Sequence, residues 1–233
     1  MWAYRAGRWP SQCAICHGWG WSRLCDACIT RFGALRHRCA RCALPVPESV
    51  ATCGACLLAP PPFDAALAAV DYGAPWDGLI TRFKFHDALD LGDALADRLL
   101  AAAQDAGPPT FDLLLPAPIG LRRMHERGYN QAWELTRRLA RRLGIAASPD
   151  LLLRIRETPP QLSLPLAQRL ANVRGAFAIE PRRRAELAGR DVVIVDDVLT
   201  TGATAGELAR VLRQAGAARV QVWALARTPP PGD

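Results

Sequence analysis

Apolar and polar positions alternate between two periods along this chain. Val192 to Val195 is a run of four apolar residues, which reads as a strand buried on both faces. Phe111 to Leu115 reads as a second buried strand and ends at Pro116-Ala117-Pro118. Phe63 to Tyr72, Leu151 to Ile155, Gly175 to Ile179 and Val220 to Leu225 complete the predicted strands. Helices are predicted over Asp77 to Phe85, Leu89 to Ala103, Asn130 to Leu143 and Ala205 to Gly216. In the third of these, Ala132, Leu135, Leu139 and Leu143 share one face, while Arg137, Arg138, Arg141 and Arg142 crowd the other. Arg122, Arg123, His125 and Arg127 fall in a segment read as a basic loop. Strands and helices alternating in this way predict an α/β fold with a parallel sheet flanked by helices.

The first quarter of the chain follows a different logic. All eight cysteines lie between Cys13 and Cys56, as four C-x-x-C pairs: Cys13/Cys16, Cys25/Cys28, Cys39/Cys42 and Cys53/Cys56. A C-x-x-C turn points two thiolates at one tetrahedral metal, and two turns close a four-cysteine site, so four turns imply two structural zinc ions. Zinc would supply folding energy that so small a module cannot draw from a core. A disulfide framework belongs to secreted chains, and Met1 to Gln12 contains no apolar segment of a secretory signal. Sequential pairing (13/16/25/28 and 39/42/53/56) and cross-braced pairing are both open, with the short loops favouring the former. Leu57 to Pro62 is Pro-rich, which places a zinc module at 10–57, a larger domain at 63–227 and a flexible tail at 228–233.

The residues after Val195 carry the chemistry. Asp196 and Asp197 end the apolar run, Thr200-Thr201-Gly202-Ala203-Thr204 follows, and then a helix is predicted. In open α/β sheets, ligands bind where strand carboxyl ends lead into helices. Amides at a helix start, with Thr hydroxyls, suit a phosphate, and Gly202 lets the backbone approach it closely. Carboxylates repel phosphate but suit sugar hydroxyls or magnesium. A strand ending in Asp-Asp also occurs in P-loop NTPases, but those need a Gly-rich loop with lysine. The lone lysine here, Lys84, lies in Phe83-Lys84-Phe85 with no glycine before it. The segment instead resembles the phosphoribosyl-diphosphate (PRPP) motif of the type I phosphoribosyltransferases.

A wider resemblance spans nearly the whole chain. The C-x-x-C pairs, Phe83-Lys84-Phe85, Pro116-Ala117-Pro118, Arg127-Gly128-Tyr129-Asn130-Gln131, Gln161, Arg169-x-x-Asn172 and the Asp-Asp-Thr-Thr-Gly-Ala-Thr loop follow in order. Their order is similar to that in the ComF family of competence-related proteins, with Ala117 where Val is more usual. The resemblance implies a double zinc ribbon, a type I phosphoribosyltransferase-like domain, a cytoplasmic location and a role in DNA uptake. It implies that Asp196 and Asp197 bind ribose hydroxyls, Thr200 to Thr204 hold the 5′-phosphate, and Pro116 to Pro118 face the diphosphate. Arg127 would balance charge on the leaving diphosphate, and Lys84 would add a phosphate contact. Implied partners are PRPP with magnesium, pyrophosphate, single-stranded DNA and other competence proteins. A PRPP-binding adaptor without turnover is the alternative.

Charge adds little that is specific. The net charge of +7 comes from 28 arginines and one lysine, which fits polyanionic ligands. Within the cysteine module, Arg23, Arg31, Arg36, Arg38 and Arg41 accompany Trp19, Trp21 and Phe32. Such residues serve base stacking and phosphate contacts, or form a mini-core under solvated arginines. No apolar run approaches the roughly 18 residues of a membrane span, so no insertion is expected.

Overall fold

In the computed structural model, which describes residues 10–85, 88–107, 110–157 and 172–229, the cysteine-rich segment comes first. It holds an antiparallel pair of β1 (Ser11–Gln12) and β2 (Trp19–Gly20). Two short helices, α1 (Asp26–Phe32) and α2 (Gly54–Leu58), start immediately after Cys25 and Cys53. Both cysteines are N-cap residues, so their thiolates stand at the positive ends of the helix dipoles.

The remaining elements are β3 (Ala65–Asp71), α3 (Trp76–Phe85), α4 (Gly92–Asp105), β4 (Leu113–Pro116), α5 (Leu121–Arg127) and α6 (Gln131–Leu143). They continue with β5 (Ala146–Ala147), β6 (Leu152–Arg154), β7 (Phe177–Ile179), β8 (Asp191–Leu199), α7 (Ala203–Gln214) and β9 (Arg219–Arg227). Five strands form a parallel sheet in the order β3-β9-β8-β4-β5. Alternate residues of each central strand face opposite sides, and each side has its own core. Leu113, Leu115, Val192, Ile194, Val220 and Val222 pack with Leu208 and Leu212 of α7. Leu114, Val193, Val195 and Leu225 pack with Phe83, Leu95, Leu99, Leu135 and Leu139 from α3, α4 and α6. Burying one such side chain contributes roughly 1.5–3 kcal/mol, and this double coverage is why Val192 to Val195 carries no polar residue.

The connection after β4 runs through α6 on one face, and that after β8 runs through α7 on the other. The chain therefore reverses its winding between β4 and β8, and a crevice opens at their carboxyl ends. Pro116 to Pro118 lies on one side of it and Asp196 to Thr204 on the other.

Several expectations need correction. The segment holding Arg122, Arg123, His125 and Arg127 is helix α5, closed by Gly128 in the left-handed region (φ 75°). Strands β6 and β7 leave the parallel sheet and form a separate antiparallel ribbon. Strand β8 does not stop at the acidic pair but carries it on to Leu199, and α7 begins at Ala203 rather than Ala205. Of the α6 arginines, Arg141 and Arg142 are exposed and Arg137 is half-buried. Arg138 is buried, with Nη1 2.5 Å from Glu134 Oε2, and Arg142 bonds Asp93 at 2.9 Å and Asp97 at 2.8 Å on α4.

The arginines of the cysteine module are also engaged. Arg23 pairs with Asp90 at 2.6 Å, and Arg36 and Arg38 share Asp71 at 3.1 and 2.8 Å. The Trp76 indole N–H donates to the Phe32 carbonyl at 2.7 Å, and the Ala66 amide to that of Ala40 at 3.0 Å. Trp19, by contrast, is 66 % exposed and belongs to no mini-core.

Candidate functional site

The eight cysteines gather into two groups, Cys13/16/25/28 and Cys39/42/53/56, each with its four sulfurs within 4.8 Å of one another. The pairing is sequential. Cys16 and Cys25 Sγ are 3.6 Å apart, and Cys42 and Cys53 Sγ 3.7 Å, far longer than a disulfide bond. Tetrahedral zinc with Zn–S near 2.3 Å needs S···S of about 3.8 Å, so both groups fit a structural zinc. Backbone amides support the thiolates: Cys25 N donates to Cys13 Sγ at 3.4 Å and Cys53 N to Cys39 Sγ at 3.2 Å.

At the crevice, Asp196 and Asp197 are consecutive on β8, and their carboxylates lie close enough to interact. Asp197 is buried, and its Oδ1 lies 3.1 Å from Lys84 Nζ. Among the described residues, its buried Oδ2 has no hydrogen-bond partner. Such an orphan acceptor costs free energy unless a ligand hydroxyl or cation satisfies it. Asp196 Oδ1 accepts the Asp197 amide at 2.8 Å. Burial and the Asp197 carboxylate push Asp196 up to about 7, with Lys84 pulling the other way.

Lys84 is placed by three contacts that join distant motifs. The Tyr129 hydroxyl donates to the Phe83 carbonyl, and the Tyr129 and Phe83 rings lie 6.4 Å apart. Arg127 stacks its guanidinium 4.5 Å above the Phe85 ring, and its Nη1 donates to Gln131 Oε1 at 2.9 Å. Burial lowers the Arg127 pKa from its ordinary value, and the Asp197 charge opposes the shift. Phe83-Lys84-Phe85 and Arg127 to Gln131 thus form one wall facing the acidic pair.

Gly202 sits at φ 79°, in the left-handed region, and opens α7; a Cβ there would find only Phe63, 3.8 Å away. The Ala203 amide donates weakly to Thr201 Oγ1 at 3.3 Å, and the Gly206 amide returns to the Gly202 carbonyl at 2.7 Å. Opposite, Pro116-Ala117-Pro118 is buried, and the Ala117 amide is spent on the Val195 carbonyl at 2.8 Å. Asn130 caps α6 by accepting from Ala132 N at 2.9 Å while its Nδ2 donates to the Ala117 carbonyl at 3.1 Å. The structure thus brings Asp196, Asp197, Lys84, Arg127, the Thr-Gly loop and the Pro-Ala-Pro segment to one crevice. Gln161 and Arg169 lie outside the described residues, and the Asn172 carbonyl accepts from Arg156 at 3.2 Å. A cavity of about 880 Å³ at the other end of the sheet, lined by His37, Ala102 and Trp223 among others, holds none of the expected site residues.

Residues 132–230 match the phosphoribosyl transferase domain family. The chain is 35 % identical to the DNA utilization protein YhgH of Salmonella typhi, over 94 % of this chain and 98 % of that protein. The ComF family is thereby decided. This chain belongs to it. Two further relatives are the Competence protein F of Haemophilus influenzae, 34 % identical over 88 % of this chain and 90 % of that one, and the Competence protein ComFC of Bacillus subtilis, 29 % identical over 64 % and 58 %. This ComF chain therefore combines two four-cysteine groups with a phosphoribosyltransferase domain whose winding reverses at the crevice. Among the described residues, no helix is long and apolar enough to cross a membrane.

Sequence reasoning missed the supporting residues of this ComF site. Phe85 and Gln131 orient Arg127, Asn130 ties the Pro-Ala-Pro segment to α6, and Arg227 anchors the Thr-Gly loop. Asn130 had a legible signal, an amide side chain just before a helix. Gln131 stands four residues from Arg127 within one motif, whereas the partners of Phe85 and Arg227 are distant in sequence or ordinary backbone.

Proposed function

We propose that this ComF protein binds PRPP in the crevice between β4 and β8 and acts in the handling of DNA taken up by the cell, in the cytoplasm. The observation that carries the first part is the junction of β8 and α7. A buried carboxylate with an oxygen unpartnered among the described residues stands there beside a left-handed glycine that opens a helix. Asp196 and Asp197 accept the two ribose hydroxyls, and the loop from Thr200 to Thr204 holds the 5′-phosphate through amides and hydroxyls. Because Ala117 has no free amide, Pro116 to Pro118 shapes the diphosphate side of the site rather than donating to it. Magnesium, bound with the diphosphate near the acidic pair, would supply further charge neutralisation, and the orphan Asp197 Oδ2 suits that environment.

Lys84 gives up Asp197 to a ribose hydroxyl and moves to the diphosphate, so the ion pair is a resting arrangement of both groups. Arg127, aligned by Phe85 and Gln131, balances charge that accumulates on the diphosphate if the C1–O bond breaks. These residues serve binding and transfer alike, and the acceptor is not defined by them. The DNA role rests on the names of relatives nearly equal in length to this chain. Arg137, Arg138 and Arg142 are engaged in ion pairs, which makes these three poor phosphate contacts. Phosphorus NMR tests the phosphate site. Adding the protein should broaden the 5′-phosphate signal of PRPP, and a Gly202→Val variant should not. Equal broadening by both proteins would remove the loop from the site.

A further inference from the structure

The Arg227 guanidinium, at the end of β9, is 7 % exposed and bonds in two directions. Its Nε donates to the Cys42 carbonyl at 2.8 Å. Its Nη1 donates to the carbonyls of Leu199 at 2.9 Å and Thr228 at 2.7 Å, and also to that of Thr200. One planar side chain therefore connects a residue of the second cysteine group to the start of the phosphate loop. The Leu199 carbonyl, which also accepts the Thr228 amide at 3.1 Å, and the Thr200 carbonyl both face the guanidinium. That removes two negative dipole ends from the mouth of an anion site and leaves its amides to the ligand.

A second path joins the same two places. Arg41, between Cys39 and Cys42, donates through Nη2 to the Pro61 carbonyl at 3.3 Å. The next residues support the loop from behind: a Cβ at Gly206 would lie 3.3 Å from Pro62 Cδ, and one at Gly202 would lie 3.8 Å from Phe63. Phe63 is 2 % exposed and cannot shift without disturbing the core. The first cysteine group docks elsewhere, through Arg23 on Asp90 and Phe32 on Trp76.

We propose that the second cysteine group is a positioning element for the phosphate loop, with Arg227 as the coupling residue. Metal at Cys39, Cys42, Cys53 and Cys56 fixes the Cys42 carbonyl, that carbonyl orients Arg227, and Arg227 holds the loop ready for an anion. The inference rests on the reading of this loop as the PRPP phosphate site. Coupling of two sites is reciprocal, so a ligand on the loop must tighten the second ribbon.

Amide hydrogen exchange on the full-length, zinc-loaded protein, with and without PRPP and magnesium, tests this. In the wild type, PRPP should slow exchange across residues 39–56 by about fivefold or more, the lower end of typical coupling, and leave residues 13–28 unchanged. Arg227→Lys keeps a cation for the loop carbonyls but cannot span to Cys42, because an ammonium lacks the guanidinium fork. This variant should bind PRPP more weakly and show no slowing over 39–56. PRPP binding to the wild type with 39–56 unaffected, or full slowing in Arg227→Lys, would overturn the coupling. The wild-type comparison decides alone if the variant does not fold. Absence of PRPP binding by the wild type would instead remove the phosphate-site reading, and the coupling with it.

Discussion

Replacing Asp196 with Asn should stabilise the free protein above neutral pH. Asp196 is pushed from 3.8 to about 7 by burial and by Asp197. Its charged form is therefore disfavoured in the fold relative to the unfolded chain. By linkage, this carboxyl costs nothing well below pH 3.8, where both states hold the proton. Stability then falls as pH rises toward 7, and the full cost remains above that. Moving a carboxyl from 3.8 to about 7 corresponds to about 4 kcal/mol at 1.36 kcal/mol per pH unit. Asp196 is partly accessible, so solvent screening makes this figure a ceiling and about 2 kcal/mol a reasonable expectation. Urea unfolding of wild type and Asp196→Asn at pH 4.5 and pH 8 reads the effect directly. The difference between the two proteins should grow by about 2 kcal/mol in favour of the variant at the higher pH. A difference that stays constant across this range would refute the account of Asp196. Such a cost is expected where charges are placed for a ligand rather than for stability.

Lys84→Met should leave Asp197 as an unpaired buried charge and destabilise the protein by about 3 kcal/mol, with most of the loss recovered in Lys84→Met/Asp197→Asn. Urea titrations of the four proteins of this cycle measure it, and additive single effects would argue against the pair. Gly92→Ala should be destabilising although alanine normally favours a helix by about 1 kcal/mol, because its Cβ would lie 2.6 Å from Arg138 Cζ. A lower melting temperature for Gly92→Ala is expected, and a raised one would contradict the packing. Removal of zinc with a chelator should unfold both ribbons, seen as loss of amide protection over residues 13–56, while the parallel sheet keeps its own; protection unchanged after zinc loss would contradict a structural role for the metal.

The legible parts of the fold were those with one dominant cause. Val192 to Val195 is apolar because both sheet faces are covered, so the central strand and the acids after it could be read from sequence. The cysteine spacing carried the metal groups, and the short loops within each group carried their pairing. Helix α5 was missed because Leu121 and Met124 are exposed, so no buried face imposes a period. The β6/β7 ribbon was missed because an apolar run does not name its partner. On α6, Arg137 and Arg138 pair with Glu134 of the same helix, whereas the partners of Arg142, Asp93 and Asp97, come from another helix and could not be read from the pattern. The same limit explains the site. Asp196, Asp197 and the Thr-Gly loop are contiguous and visible as a motif. The grouping of Lys84, Phe85, Arg127 and Gln131 exists only after folding.

The central claim, a PRPP site at the end of β8, is tested most directly by calorimetric titration of PRPP with magnesium into the zinc-loaded wild type and into Asp196→Ala/Asp197→Ala. Saturable 1:1 binding by the wild type, lost in the variant, is the result predicted here. No binding by the wild type, or equal binding by both proteins, would contradict the claim and leave the crevice without its assigned ligand.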